Sequence, residues 1–340
     1  MIPLQGCNEV MDDNMLPYGL NELVHKIQRG PDGTSLFCPV RGCGHLLTPP
    51  KRKGPRGTVC PVHGIRGHTS GTYSYADPTR NIIIAPEEIR SLYNSGAKFD
   101  SIARLGLESS EDCLSWNVWR SLQREGLLHR VVELITGETT AREPRMFLWG
   151  IEVGGEAIKP WSLLQKARQY LEADLLPVGR PQTEPDIALW EPGRYLINIE
   201  AKLASPNSFL VHDKTKLLDL TLGQFVQIYS KGASRLLDWD EARSRDRLPG
   251  QLIRNLRFAD LQALMDSDDT EPYVVNLVRE GYEHEICEPV LTLLHADHRG
   301  RFERLTWETI YGLARTHSLQ PLCQYMENKT VRLKRAFKIP

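Results

Sequence analysis

Two short apolar runs, residues 186–190 (DIALW) and 195–202 (YLINIEAK), flank the turn sequence Glu191-Pro192-Gly193-Arg194 and read as a β-hairpin. A hairpin centred on Gly193 sets Asp186 directly opposite Glu200, with β-carbons roughly 5 Å apart. Side chains alternate along a strand, so Glu200 and Lys202 share one face while Ile197, Ile199 and Ala201 share the other. Two carboxylates that close repel one another unless a cation sits between them, and a hard divalent ion prefers oxygen ligands. Mg²⁺ (or Mn²⁺) held by Asp186, Glu200 and a carbonyl near Ala201 would polarise a phosphodiester and acidify a bound water. Lys202 would orient that water or help to deprotonate it. An E-x-K pattern alone reads equally well as a surface ion pair. Pro185-Asp186 opening the first strand, the hairpin-length gap and the apolar reverse face favour the catalytic reading.

A second set of chemically competent residues lies nearer the N-terminus. Three of the seven cysteines fall between residues 38 and 60. Cys38 and Cys43 form one close pair and Cys60 and His63 another, the pattern of a closed, tetrahedral Zn²⁺ site. His45 and His68 are rival ligands. The Gly- and Pro-rich composition of residues 38–71 cannot support a hydrophobic core unaided, so metal binding would supply its folding energy. An odd, uneven cysteine set suits a reducing compartment better than a disulfide framework.

A net charge of −1 over 340 residues hides strong segregation. Residues 33–76 carry six Lys or Arg and no acid, and residues 329–338 carry five and no acid, leaving the rest of the chain acidic. Lys51, Lys53 and Arg56, between the two ligand pairs, and Arg332, Lys334 and Arg335, near the C-terminus, are candidate nucleic-acid contacts. With 41% hydrophobic residues the chain can bury a large core. Its apolar runs fall far short of the ~20 residues of a bilayer helix, and its first residues offer neither a basic leader nor an apolar segment. The expectation is a cytoplasmic protein with no membrane partner.

The elements that must position these groups follow from periodicity and turn chemistry. Helices are expected over residues 20–28, from Pro86, over 110–125 behind the cap Ser109-Ser110, over 160–174, 217–237 and 307–316. Strands are expected over 146–153, 186–190, 195–202, 273–278 and 290–295. Mixed strands and helices in this order indicate an α/β or α+β fold. Residues 1–85 read as a lead-in with a small zinc-binding module, and residues 86–340 as the main domain with a basic tail.

Pro185-Asp186 followed by Glu200-Ala201-Lys202 resembles the PD-(D/E)XK nuclease superfamily, in its restriction-endonuclease-like branch. The resemblance covers about residues 109–316 in element order. It implies a mixed sheet flanked by helices, with Asp186, Glu200 and Lys202 as metal-binding and catalytic residues. It also implies an acidic residue on the helix before the sheet, best matched by Glu111 with Asp112 as its rival, and a polar Gln224 on the helix after the motif strand. The ordinary role of Glu111 and Asp112 would be to complement the start of their helix. The activity implied is Mg²⁺-dependent cleavage of DNA, most simply duplex DNA, by a restriction or phage-defence endonuclease, acting as a homodimer or with a defence-complex partner. The competing expectations are a non-catalytic, zinc-containing nucleic-acid-binding protein on a nuclease-like scaffold, and a hydrolase of small phosphate esters, for which no Gly-rich phosphate cradle is present.

Overall fold

The computed structural model describes residues 17–49, 57–95, 101–140, 142–155, 158–173, 184–211 and 220–340. Two small antiparallel hairpins come first, β1 (Leu36–Phe37) with β2 (Leu46–Leu47) and β3 (Ile65–His68) with β4 (Thr72–Tyr75). Helices α1 (Pro86–Asn94), α2 (Glu111–Arg124) and α3 (Leu128–Thr136) lead to strands β5 (Arg145–Leu148), β6 (Ile151–Glu152) and β7 (Lys159–Pro160) and to helix α4 (Ser162–Glu172). The hairpin β8 (Ile187–Glu191) and β9 (Tyr195–Ala201) is followed by β10 (Phe209–Val211), α5 (Leu222–Tyr229), α6 (Trp239–Ser244), β11 (Arg247–Pro249) and the long α7 (Gly250–Asp266). Then come β12 (Glu271–Val278), α8 (His284–Leu291), β13 (Phe302–Thr306), α9 (Trp307–Thr316), α10 (Gln320–Asn328) and a last hairpin, β14 (Thr330–Val331) with β15 (Lys334–Arg335).

Local chemistry explains several boundaries. The Ser110 side chain accepts from the Cys113 N–H and caps α2, whose first turn carries Glu111 and Asp112. Gly193 adopts φ +71° in the three-residue turn between β8 and β9, a left-handed position that favours glycine, and Arg194 N–H donates to the Glu191 carbonyl. Strands β8 and β9 pair with Ile187 opposite Ile199 and Ala188 opposite Asn198. That register, continued by one residue, brings Asp186 level with Glu200, as the turn position predicts.

The seven-stranded sheet has the order β13-β12-β9-β8-β5-β6-β7. Strands β9, β12 and β13 run parallel, and every other pairing is antiparallel. Helices cover both faces. Ile187, Leu189, Ile197 and Ile199 join a core with α1, α2, α3, α9 and α10, whereas Ala188, Trp190 and Leu196 join one with α4, α5, α7 and α8. The architecture is therefore mixed α/β, a mixed sheet flanked by helices. Among the described residues no helix is long and apolar enough to cross a membrane.

Several expectations are corrected. Residues 20–28 form turns and bridges instead of a helix: Leu23 and Ile27 have helical spacing, but both enter the core of the N-terminal unit, Leu23 through a bridge to Val40. The strand expected over 146–153 is a tight hairpin, because Trp149 and Gly150 both take positive φ. Residues 290–295 close α8 and turn. Val290, Leu293 and Leu294 are buried there against helices, and a short apolar run does not distinguish the two elements. Of the helix expected over 217–237, α5 is the helical part described, and residues 212–219 lie outside the described set. Helix α7 and strand β13 were not anticipated. Helix α7 is buried on nearly all sides, which erases the amphipathic signal.

Contacts cross the boundary expected at residue 85. Glu108 is buried and accepts from the Thr72 hydroxyl of β4 and from the Leu333 N–H, while its own N–H donates to the Tyr73 carbonyl. Leu333 is fully buried in the core of the N-terminal unit, although Arg332 and Leu333 both hold positive φ in the turn of the last hairpin. Burial of the leucine offsets that strain. Leu333→Ala is expected to lower stability by about 2–5 kcal/mol, read as a shifted midpoint in urea unfolding.

Candidate functional site

The β8–β9 hairpin brings the expected groups to one place, and the surrounding helices determine how each is held. Glu200 is only 3% exposed. Its Oε1 accepts from Lys202 Nζ at 2.6 Å and from Gln251 Nε2 at 3.1 Å, and its Oε2 accepts from Asn255 Nδ2 at 2.8 Å. Gln251 and Asn255 stand one turn apart on α7, so the face of β9 that carries Glu200 is roofed by a helix. Asn198, on the same face, donates to Gln262 farther along that helix. Asp186 is partly exposed, and its Oδ2 accepts from the Ala201 N–H at 2.8 Å. Ala201 thus touches the site through its backbone.

The electrostatics are those of a crowded acid pair with one ammonium. Burial and the Glu200 carboxylate push Asp186 well above the ordinary carboxylate range, against the pull of Lys202 and the Ala201 N–H, and Asp112 adds to the rise. Burial alone would lower Lys202. The Glu200 and Asp186 carboxylates outweigh it, so the shift is upward and Lys202 is an ammonium at neutral pH.

The other expected site residues fall nearby or elsewhere. Glu111, at the start of α2, accepts from the N–H groups of Leu203, Ala204 and Ser205 at 2.8, 3.0 and 3.3 Å and from the Ser205 hydroxyl. It anchors the loop leaving β9 immediately after Lys202, and its charge contributes to the upward shift of that lysine. Asp112 accepts from the Tyr93 hydroxyl at 3.3 Å. Gln224 does not face the acid pair. Its side chain accepts from Thr221 N–H and Oγ1 in a capping box that starts α5. The helix whose amides reach Glu200 is α7, and Gln251 and Asn255 at (i, i+4) on a mostly apolar helix are the signal that identifies them. Glu111→Gln is expected to retain the fold while weakening the grip on residues 203–205, seen as faster hydrogen exchange of those three amides.

A narrow cleft of about 230 Å³ opens beside Lys202, lined by Ser205, Arg279, Tyr282 and Glu283 among others. The Arg279 guanidinium lies 3.9 Å over the Tyr282 ring, and among the described residues its buried Nε has no hydrogen-bond partner. Glu283, in a left-handed conformation, is buried and accepts from Asn207 N–H and Nδ2 and from Asn276 Nδ2, which clamps the far end of the same loop.

The N-terminal cysteines and histidine converge as their pairing predicts. The Sγ and ring nitrogen atoms of Cys38, Cys43, Cys60 and His63 all lie within 4.8 Å of one another. Cys43 and Cys60 Sγ are 3.8 Å apart, and His63 Nδ1 is 3.6 Å from Cys38 Sγ and 3.5 Å from Cys60 Sγ. A tetrahedral ion with Zn–S of about 2.3 Å and Zn–N of about 2.0 Å sets S···S near about 3.8 Å and S···N near about 3.5 Å. The cluster therefore has the spacing to hold a metal ion such as zinc. Burial drives the Cys38 thiol upward and Cys60 adds to it, while burial and then Arg80 lower His63. His45 and His68 stand outside the group, and His68 pairs with Ser74 Oγ instead. Tyr18 sets its ring edge-on to His63 with centroids 5.7 Å apart, and Arg80 donates to the His63 carbonyl. Among the described residues this is the one group of three or more Cys, His, Asp or Glu side chains close enough to share an ion, and the six described cysteines are all free thiols.

Of the expected nucleic-acid contacts, Lys51, Lys53 and Arg56 lie outside the described residues. Arg332, Lys334 and Arg335 are exposed on the last hairpin, whereas Lys329 of the same basic run is buried. In comparisons with known proteins, no family model, no curated protein and no solved structure matches the chain.

Proposed function

We propose that this chain is a Mg²⁺-dependent nuclease that hydrolyses phosphodiester bonds of duplex DNA, of the restriction or phage-defence kind. The observation that carries the reading is the placement of Asp186 beside Glu200 and Lys202 at the open end of the hairpin. Two neighbouring carboxylates and one ammonium leave an uncompensated negative charge, and the donors are all oxygen, which suits a hard divalent cation. Asp186, with Oδ2 engaged by a single N–H and its side chain partly exposed, and Glu200, with the Ala201 carbonyl, would hold Mg²⁺ or Mn²⁺. Such an ion supplies charge stabilisation at the phosphate and a more acidic water. Gln251 and Asn255 fix Glu200 in place. Lys202 carries its proton at neutral pH, so it orients the phosphate and offsets charge developing on it in preference to acting as a base. Arg279 borders the cleft beside it as a further cation for the backbone of the nucleic acid.

Further support comes from the sheet after α2: with other elements interposed, β5, β8 and β9 are antiparallel neighbours, and β12, reached through α7, lies parallel to β9. This arrangement agrees with the fold implied by the PD-(D/E)XK resemblance, on which the preference for DNA rests. The Cys38–Cys43–Cys60–His63 cluster is read as a closed structural zinc site. The exposed cations of the last hairpin, with Lys51, Lys53 and Arg56, are read as backbone contacts. Duplex scission takes two active sites, so a homodimer or a partner within a defence complex completes the proposal.

One observation favours a second reading, a non-catalytic nucleic-acid-binding scaffold: both Glu200 oxygens already have protein donors. The two readings separate when purified protein is incubated with supercoiled plasmid and with linear duplex in Mg²⁺, Mn²⁺ or chelator. Cutting that requires the metal is the expected result. Retention of duplex in a gel-shift assay with no cutting in any condition would replace the nuclease by the scaffold.

A further inference from the structure

A second cleft, of about 530 Å³, lies between the N-terminal unit and α10, away from the acid pair. Its walls are the rings of Tyr18, Tyr73 and Tyr325, and its interior holds Asn81, Glu108 and Lys329. That volume is within the range of small-molecule pockets, and the lining sets the three tyrosines among polar and charged side chains that include a second acid, Glu327, whose carboxylate is engaged by the Tyr311 hydroxyl.

The decisive residue is Lys329. It is 5% exposed and lines the cleft, yet among the described residues its ammonium has no hydrogen bond and no ion pair. Its Nζ lies over the face of the Tyr325 ring, 5.2 Å from the centroid. Glu108, the buried acid close enough to influence it, already accepts from Thr72 Oγ1 and Leu333 N–H. An ammonium held largely out of water with a ring face as its company and no hydrogen bond or ion pair is costly, and burial lowers the Lys329 pKa even though Cys113 and Glu108 pull it up. A ligand that brings an anion to Nζ and lays a flat ring between the tyrosines accounts for both the charge and the shape. Gln320, Gln324 and Asn328 on the rim offer amides to the polar edge of such a ring.

We propose that this cleft binds a small planar molecule carrying one anionic group, with Lys329 as the counter-charge and Tyr18, Tyr73 and Tyr325 as the stacking and edge contacts. The anion could be a carboxylate or a phosphate, since either oxyanion meets the ammonium in the same way. The site is independent of the acid pair, so it stands or falls separately from the nuclease reading.

The test uses the full chain loaded with zinc and two sets of probes. One set is the four common nucleoside 5′-monophosphates. The other is the aromatic carboxylates indole-3-acetate and 4-hydroxyphenylacetate. Binding is read by isothermal titration calorimetry and by the upward shift of the melting temperature. The expected result is one-to-one binding of a probe from one set, weakened at least about tenfold by Lys329→Met and unchanged by Asp186→Asn. That loss corresponds to about 1.4 kcal/mol. Which set binds decides between phosphate and carboxylate. Gln324→Trp, placed on the exposed rim to fill the cleft, is expected to abolish the same binding, and it carries the decision should Lys329→Met fail to fold. No binding by either set, or binding that survives both substitutions, overturns the proposal.

Discussion

Asp186→Asn is expected to reduce metal-dependent cleavage by roughly 10²–10³-fold while leaving the chain folded. The substitution keeps the shape and retains an oxygen able to accept from Ala201 N–H, so hairpin packing is preserved. What it removes is the charge that pairs with Glu200 to attract a divalent ion. The same substitution has a thermodynamic signature in the absence of metal. Burial and Glu200 raise the folded-state pKa of Asp186 above its usual value of 3.8, so the folded chain holds this proton more tightly than the unfolded chain. The corresponding stability is fully present below 3.8 and is lost as pH rises through the folded value. Thermal melts across acidic to neutral pH should therefore decline less steeply in Asp186→Asn. Mg²⁺ should raise the melting temperature of the parent chain at neutral pH and leave that of the variant unchanged. Undiminished cutting by the variant, or identical pH profiles, would remove Asp186 from the mechanism.

Cys60→Ser is expected to abolish stoichiometric zinc and to unfold the N-terminal unit, because Cys60 has both Cys43 Sγ and His63 Nδ1 within 3.8 Å. Structural zinc contributes on the order of 10–16 kcal/mol of apparent binding energy in small domains. The core of the N-terminal unit is small and consists mainly of Leu23, Leu36, Leu47, Ile65, Tyr73, Tyr75 and Leu333 around the cysteines. Without the ion it has little else to hold β1 to β4 together. Elemental analysis should give about one zinc per parent chain and essentially none in the variant, with loss of amide protection in β1 to β4. Cys287→Ser, at a half-buried thiol on α8, serves as the control that keeps its zinc. Full zinc content in Cys60→Ser would show that the ion, if any, is held elsewhere. The reach of the damage is a second readout, since Leu333 and Glu108 join this unit to the rest of the chain.

Much of the acid site was legible from short-range rules. The turn Glu191-Pro192-Gly193-Arg194 determines the hairpin register, and alternation then sets Glu200 and Lys202 on one face; both hold in the structure. The metal ligands were legible for the same reason, since two close pairs on tight turns depend on local geometry. Glu111 was identified as a partner of the site, but its contacts are with the loop after β9 and with the field at Lys202. Gln224 departs from its expected place because a glutamine at the third position of a helix satisfies a capping pattern as readily as a cleft, and here Thr221 captures it.

What no local rule reaches is the environment of these groups. An amphipathic hairpin with Glu200 facing solvent obeys the same alternation as the observed one, in which α7 covers that face and donates Gln251 and Asn255. Helix α7 begins almost fifty residues downstream of the motif, and its burial on nearly all sides removed the periodicity by which it would have been recognised. The burial of Lys329 inside a basic run is likewise a tertiary outcome, decided by residues distant in sequence, Glu108 and Cys113 among them, that the fold brings around it. The sequence by itself determined which charged and thiol groups meet, because turns and strand pairing act over a few residues. Only the tertiary structure decided how strongly those groups are perturbed, because desolvation and distant donors depend on which helices close over them.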